Sequence, residues 1–422
     1  METKCPVIGV DVAKKFSYYC ILDPDGKVYR NSFKATNDLK GLRIVLKEMK
    51  KAEKEFGLKP VIILESTGHY SNPLVHFFTK KELTVLLVNP LQSHSIKNSH
   101  IRKIKNDKVD ARELAELYFL RELKPFEQHA IPIENLRLLS RTYANVAEQR
   151  VTFINQLTAS VEQMMPRFTK LFSDIASKTS LALLEKYTSP SAILAAPEEE
   201  IIQLIRIQSR RSLENSTKKY KQLIEVCMES QEFGVSLQAN DHVIKMYSRI
   251  IIELQAELKK LDNEISKISK EILAVELIKS IPGIGETIAP VIVAEIGDIR
   301  RFKSAKQLIA YCGIDPTVRQ SGNFVGTKNR FTKRGSRYMR RALYIAATVS
   351  IRKGKNGKLV NPIMHEYYQK KIQSKPKKKA LGAVMNKLVR IIYSVLKNNR
   401  KFVFITPEEQ VQMYQSNLTV AA

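Results

Sequence analysis

Apolar positions along the first ninety residues change their period several times. Runs rich in β-branched and aromatic residues at Val7–Val12, Phe16–Leu22 and Lys27–Lys34 predict three strands, with Asp23-Pro24-Asp25-Gly26 as the turn between the last two. Leu39, Leu42, Leu46 and Met49 recur at helical spacing and predict a helix over Asn37–Glu55. Val61–Glu65 then reads as a strand, Pro73–Lys80 as a helix and Leu83–Val88 as a strand. An antiparallel meander of three strands leading into alternating helices and parallel strands is an α/β layout in the ribonuclease H-like order.

From about Asn135 to Lys279 the pattern turns almost wholly helical. Its clearest part is a seam of alternating three- and four-residue steps: Ile244, Tyr247, Ile251, Leu254, Leu258, Leu261, Ile265, Ile268, Ile272, Val275. A straight helix drifts off such a seam, so the strict repeat predicts a coiled coil. Self-association is the first reading; an antiparallel pair within the chain, with the helix near Val146–Met165, satisfies the same pattern. Ile281-Pro282-Gly283-Ile284-Gly285 follows, before an apolar helix over Thr287–Glu295. That turn resembles a helix-hairpin-helix, whose glycines and helix-start N–H groups accept a phosphate; a tight turn that touches nothing is the alternative. The predicted divisions are 1–125 (α/β), 126–277 (helical), 278–402 (basic, mainly α) and a tail over 403–422.

Charge sharpens this picture. The 422-residue chain carries a formal net charge of +28. Between Arg300 and Phe402 there are 27 Lys and Arg against two acids, Asp315 and Glu366, a local net of +25. Self-repulsion so concentrated is the footprint of a polyanion binder; a solvated, solubilising surface is the alternative. The four cysteines, Cys5, Cys20, Cys227 and Cys312, form no CxxC pair or Cys/His cluster with zinc spacing, and they read as thiols of a reducing cytoplasm. No signal-peptide layout opens the chain, and no apolar run approaches the ~18 residues of a membrane span.

Four acids fall where a metal-dependent nuclease would place them. Asp11 lies in the first apolar run, Glu65 closes the fourth predicted strand, and Asp107 and Asp110 share one face of a predicted first helical turn. Carboxylates at the ends of buried strands are costly unless something cationic pairs with them. Two divalent ions about 4 Å apart, held by carboxylates, can activate a nucleophile and stabilise a leaving oxygen. A hard-oxygen donor set favours Mg²⁺, or Mn²⁺, over zinc. Taken singly, Asp107 is an N-cap candidate and Glu65 a surface acid; the order and spacing of all four carry the reading. Arg102, Lys103, Lys105 and Lys108 flank them and suit a phosphate backbone.

A second centre lies in the basic quarter. Tyr311–Gly322 includes Arg319 and ends in Ser321-Gly322, and Lys328–Arg341 then carries seven cations: Lys328, Arg330, Lys333, Arg334, Arg337, Arg340 and Arg341. A serine hydroxyl attacks a phosphodiester if a base or metal activates it and cations stabilise the developing charge. From chemistry alone, Ser321 is one serine among many and reads first as a turn residue.

Taken in order, Gly9-Val10-Asp11, Glu65-Ser66-Thr67-Gly68, Asn106-Asp107-Lys108-Val109-Asp110-Ala111, the Ile281–Gly285 turn, Tyr311–Gly322 and Thr332-Lys333-Arg334-Gly335 resemble the DEDD transposases of the insertion-sequence-110 family. The resemblance implies a RuvC-like N-terminal domain, a coiled-coil middle and a C-terminal transposase domain with a nucleophilic serine, by position Ser321. It further implies donor and target double-stranded DNA as substrates and a non-coding bridge RNA that pairs with both. The working form would be a homo-oligomer, dimer or tetramer, in which the metal site of one protomer meets the serine of another. A bacterial or archaeal, nucleoid-associated cytoplasmic protein is implied, with no membrane partner. The alternative is a RuvC-like, structure-selective endonuclease using water as nucleophile. An actin-like ATPase and a non-catalytic nucleic-acid-packaging protein are the remaining rivals. No P-loop motif is present.

Overall fold

The computed structural model describes residues 4–65, 69–88, 107–121, 123, 125, 130–235, 237–317, 320–321, 324–325, 330–354 and 356–404. The chain divides into two compact units, Met1–Gln128 and His129–Ala422.

The first unit is built on a five-stranded mixed sheet: β1 (Val7–Val12), β2 (Phe16–Leu22), β3 (Val28–Thr36), β4 (Val61–Glu65) and β5 (Val85–Val88), in the order β3-β2-β1-β4-β5. β1 pairs antiparallel with β2 and parallel with β4, and β4 pairs parallel with β5. This is the ribonuclease H-like order that the sequence predicts. The β2–β3 turn is fixed by Asp23, whose Oδ1 accepts from Asp25 N at 2.9 Å and Lys27 N at 2.8 Å, while Gly26 supplies a φ of 85°. Helix α1 (Leu39–Phe56) starts on Asp38, which accepts from Gly41 N, and stops at Gly57 in the left-handed region.

Strand alternation sorts side chains between two cores. Ile8, Val10, Ile62 and Leu64 face α1 and α2 (Ser71–Lys80), packing with Val45, Met49 and Phe78. Val7, Val61 and Ile63 face the opposite way, toward Ala111, Ala115 and Leu117 of α3 (Asp107–Leu120). Gly9 lies on the α3 side, where a Cβ would collide with the Ala111 carbonyl and crowd Ala115. The missing side chain lets α3 lie directly on β1. Gly9→Ala is therefore expected to cost about 2–3 kcal/mol by overpacking. Chemical denaturation measures it, and unchanged stability would mean that α3 can ride further out.

The second unit is mainly helical. Helix α4 (Ile131–Met164) is followed by α5 (Phe168–Leu171), α6 (Lys178–Lys186), α7 (Pro190–Ala195), α8 (Glu198–Ser209), α9 (Leu213–Phe233) and α10 (Gln238–Lys270). The heptad seam falls on α10 and finds its partner within the chain. Ile244 and Ile251 share a core with Leu157 and Val161 near the end of α4, with the Phe153 and Tyr247 rings 6.0 Å apart. Ile265 instead shares a core with Leu136 near the start of α4. The pairing is thus antiparallel and intramolecular. The helix also ends before the predicted seam does: α10 stops at Lys270, and Ile272 caps the next helix, α11 (Leu273–Lys279). Leu254, Leu258 and Leu261 stay half-buried between the two cores.

The basic quarter packs α11, α12 (Ile288–Ile296), α13 (Ala305–Cys312), α14 (Arg337–Ser350), α15 (Pro362–Ile372) and α16 (Lys377–Lys397) around a core that includes Ile278, Ile292, Leu343 and Leu388. In the Pro-Gly turn before α12, Gly283 has a φ of 105° and lies against Ser350, whose Oγ donates to Pro282 O at 3.2 Å. No helix among the described residues is long and apolar enough to cross a membrane.

Candidate functional site

The sheet register decides where the acids go. Val10 and Leu64 are partners on parallel strands, so Asp11 and Glu65 are the next residues at the same end of adjacent strands. Both fall on the face that Gly9 and Ile63 present to α3. Helix α3 begins at Asp107 and packs across β1, β2 and β4, which brings Asp110 to the same side. Asp11 and Glu65 are half-buried and Asp110 is 9% exposed. Asp11 and Glu65 thus share one end of one sheet face, and Asp110 lies on the helix that covers that face. The backbone of Asp107 starts the helix beside them; its side chain lies outside the described residues. Among the described residues no three His, Cys, Asp or Glu close into a metal cluster. Gly9 is the contributor that sequence reasoning missed, and a glycine inside an apolar strand two residues before an acid is the signal that marks such an approach.

The flanking cations divide. Arg102, Lys103, Lys105, Arg319 and Lys328 lie outside the described residues. Arg330, Lys333, Arg334, Arg337 and Arg341 are exposed. Two of these are also tied to α4: Arg337 Nη2 donates to Asn145 Oδ1 and Arg341 Nη1 to Glu148 Oε1, each at 2.9 Å. Arg340 does structural work instead. It is half-buried, and its Nη1 donates to Gly335 O at 2.6 Å and Cys312 O at 3.4 Å.

Those contacts organise the segment that carries Ser321. Lys333 N donates to Gly313 O, Thr332 N to Asp315 O and Thr317 N to Arg330 O, and the Thr332 hydroxyl donates to Asp315 Oδ1 at 2.6 Å. The two sequence segments singled out above are therefore the two sides of one antiparallel arm. Further along it, β6 (Gln320–Ser321) pairs with β7 (Phe324–Val325), and Ser321 stands opposite Phe324. The Ser321 side chain lies outside the described residues. Gly313, at a φ of 65°, and Gly335 let the two sides of the arm close at its base, since a Cβ on either would strike the other's backbone or that of Tyr311. The acids belong to the first unit and Ser321 to the second.

Beneath the arm lies an ion pair that the sequence does not signal. Glu295, on α12 and 1% exposed, receives two hydrogen bonds from Arg141, 2.7 Å from Nε and 2.9 Å from Nη2. Burial pushes the Glu295 carboxyl up, but the bonds from Arg141 and Ser336 outweigh it and hold the group below the usual carboxylate range. A depressed folded pKa contributes stability above the ordinary carboxylate value, and that contribution is lost as pH falls through the folded value. Arg141→Ala leaves the carboxylate buried and unpaired. Because the Arg141 side chain is 43% exposed and partly screened, the expected cost at neutral pH is about 2–3 kcal/mol, below the range for a fully buried pair. Denaturation at pH 7 and at pH 3 tests this, since the difference between variant and wild type should shrink in acid.

Burial raises the Cys312 and Cys227 thiols to about 12, which leaves them inert packing groups.

Two family models match separate stretches of the chain. Residues 8–166 match the model of the IS110-type DEDD domain, described as "Transposase", and residues 275–369 match the model described as "Transposase IS116/IS110/IS902 family". The chain is similar to the "Insertion element IS116 uncharacterized 44.8 kDa protein" of Streptomyces clavuligerus, 22% identical over 96% of this chain and 97% of that one. It is similar to the "Pilin gene-inverting protein" of Moraxella bovis, 26% identical over 81% of each. It also resembles the "Transposase for insertion sequence element IS1111A" of Coxiella burnetii, 20% identical over 92% of this chain and 89% of that one. With a DEDD domain at its N-terminus and the second family domain over its basic quarter, the chain belongs to the IS110/IS116 family of transposases.

Proposed function

We propose that this protein is a site-specific DNA recombinase that cuts and rejoins the ends of an insertion sequence through a serine–DNA phosphodiester intermediate. The observation that carries the reading is the placement of Asp11 and Glu65 at the same end of adjacent strands, on the face that Gly9 opens to α3, the helix that carries Asp110. Hard, half-buried carboxylate oxygens suit Mg²⁺ or Mn²⁺, and Asp11, Glu65, Asp107 and Asp110 would hold it. Bound there, the metal supplies Lewis-acid stabilisation of the phosphoryl oxygens.

The chain's own part in the reaction follows from chemistry. The Ser321 Oγ attacks a DNA phosphorus, an Oγ–P bond forms, and the 3′-oxygen of the broken strand leaves and takes up a proton. Attack by a 3′-hydroxyl of the partner strand then breaks the Oγ–P bond and returns the proton to Oγ. Bond energy is conserved through the covalent link, so the reaction needs no nucleotide cofactor. Exposed Arg330, Lys333, Arg334, Arg337 and Arg341 supply backbone contacts along the duplex. The relative named for inverting a pilin gene supports DNA rearrangement over simple cleavage. A bridge RNA that pairs with donor and target belongs to this reading through the family resemblance, as does a homo-oligomer in which acids and serine come from different protomers.

The test is a reaction on DNA carrying the element's ends, stopped midway and run on a denaturing gel. A covalent protein–DNA adduct that needs Mg²⁺ and disappears with EDTA is the expected result, and peptide mapping should place the link on Ser321. Complete cleavage with free 5′-phosphates and no adduct at any time would instead assign water as the nucleophile and make the chain a RuvC-like endonuclease.

A further inference from the structure

Three guanidiniums gather around Tyr311, where the chain enters the arm that carries Ser321. Arg137 and Arg141 are four residues apart on α4 and share a face. Arg301 lies in the 3₁₀ turn Ile299–Arg301 and stacks on Phe302 and Tyr311, 4.7 and 4.5 Å from the ring centroids. Arg137 Nε donates to Ala294 O at 2.8 Å, and the side chain sits within electrostatic reach of Tyr311, Glu295, Arg141 and Arg301. Glu295 is the carboxylate of this group, and Arg141 occupies both of its oxygens. Nearby Asp298 is held by Arg300 at 2.6 Å. Three cations against one acid leave two positive charges in a half-buried place.

The nitrogens tell the same story. Nη2 of Arg137, and Nε and Nη2 of Arg301, are shut off from water and meet no acceptor among the described residues. Charge and N–H groups left unmatched in this way are costly. A tetrahedral oxyanion supplies both missing features, negative charge and several acceptor oxygens. Planar guanidiniums select it by paired hydrogen bonds, and stacking on rings holds Arg301 in place for that purpose. Arg141 is part-exposed, its side chain 43% open to solvent, while its Nε and Nη2 stay on Glu295.

We propose that Arg137, Arg141 and Arg301 form a binding site for one phosphodiester of the DNA backbone, at the foot of the arm that carries Ser321. The choice of DNA rests on the recombinase reading; the choice of phosphate rests on the cluster alone. The site would anchor a strand beside Tyr311, about ten residues along the chain from the proposed nucleophile, fixing the DNA relative to the arm rather than taking part in bond breaking.

Anisotropy of a labelled 30-base-pair duplex, read against the full chain over a range of KCl concentrations, tests the proposal. Arg137→Gln and Arg301→Gln should each lower the slope of log affinity against log salt, and together by about one, since they share one phosphodiester. Arg301→Lys keeps the charge without the fork, so it should keep the slope and lose affinity. Without DNA, inorganic phosphate should raise the melting temperature of the wild type and not that of the doubly substituted protein. Arg301→Gln alone should melt no lower than wild type, because it removes surplus charge; a lower melting temperature would overturn the surplus-charge argument. Wild-type slopes in both Gln variants would overturn the site. Slopes lost on duplex RNA but kept on DNA would overturn the DNA assignment. Failure to find a serine adduct while the slopes change leaves the phosphate site standing, whereas an adduct with unchanged slopes removes this site and spares the recombinase.

Discussion

Asp11→Asn and Asp110→Asn should each slow strand cleavage by at least about a hundredfold while leaving DNA affinity near wild type. Replacing even an outer-shell partner of a metal ligand costs 10–100-fold, and in the proposed reading these two acids hold the cation directly. The amide keeps the shape of the carboxylate and removes its charge, so the change falls on cation binding rather than packing. Thermal melts of both variants, run beside the rates, separate lost cation binding from lost folding. The measurement is initial cleavage rate against Mg²⁺ concentration for wild type and both variants, with anisotropy for DNA binding. Wild-type rates at saturating Mg²⁺ would show the acids to be structural, and would favour a protein that only binds nucleic acid through its basic quarter.

Ser321→Ala should abolish the protein–DNA adduct and reduce strand exchange by about 10⁴-fold or more, the scale on which removal of an activated nucleophile is felt. The substitution removes one oxygen from a residue in a two-stranded pairing, opposite Phe324. It leaves the clasps at the base of the arm, Asp315 with Thr332 and Arg340 with Gly335, as they are. Ser321→Cys distinguishes chemistry from structure: a thiol of similar size can still attack, so a trace of thiophosphate-linked adduct is expected there and none with alanine. Undiminished exchange in the alanine variant would remove Ser321 from the reaction and leave the acids with water as their nucleophile.

The two centres differ in how far the sequence alone reaches. For the acids, local rules place each residue on its element, and one long-range pairing brings two of them together. Alternation in Val7–Val12 and Val61–Glu65 defines strands, the Asp23–Gly26 turn defines the meander, and parallel pairing of β1 with β4 then sets Asp11 beside Glu65. The strand limits at Val7–Val12, Phe16–Leu22 and Val61–Glu65 come out as the pattern predicts, since a buried strand is bounded by where its apolar alternation stops. For the arm, local rules fail. Nothing in the spacing of Tyr311–Gly322 and Lys328–Arg341 states that they pair, because the bonds that join them are backbone bonds closed by Gly313, Gly335 and Arg340. The charge pattern that makes Arg340 look like a DNA contact is the same whether its guanidinium faces solvent or a carbonyl.

The heptad seam shows where periodicity stops being informative. A three-four repeat specifies that one face of a helix is covered; it does not name the cover. Here α4 covers the two ends of the seam within the same chain, and the break at Lys270 ends it early. Likewise, the excess of cations in the last quarter was determined by composition, but its division was decided by the fold. Arg137 and Arg141 lie more than 150 positions before Glu295 and Arg301 in the sequence, and only the packing of α4 against α12 brings them together. Sequence determined the strands, the place of each acid along them and the sign of the charged surface, because these follow from neighbours along the chain. Tertiary structure decided which cations are clamps, which are exposed and which are left unmatched, because burial and pairing are properties of residues distant in sequence.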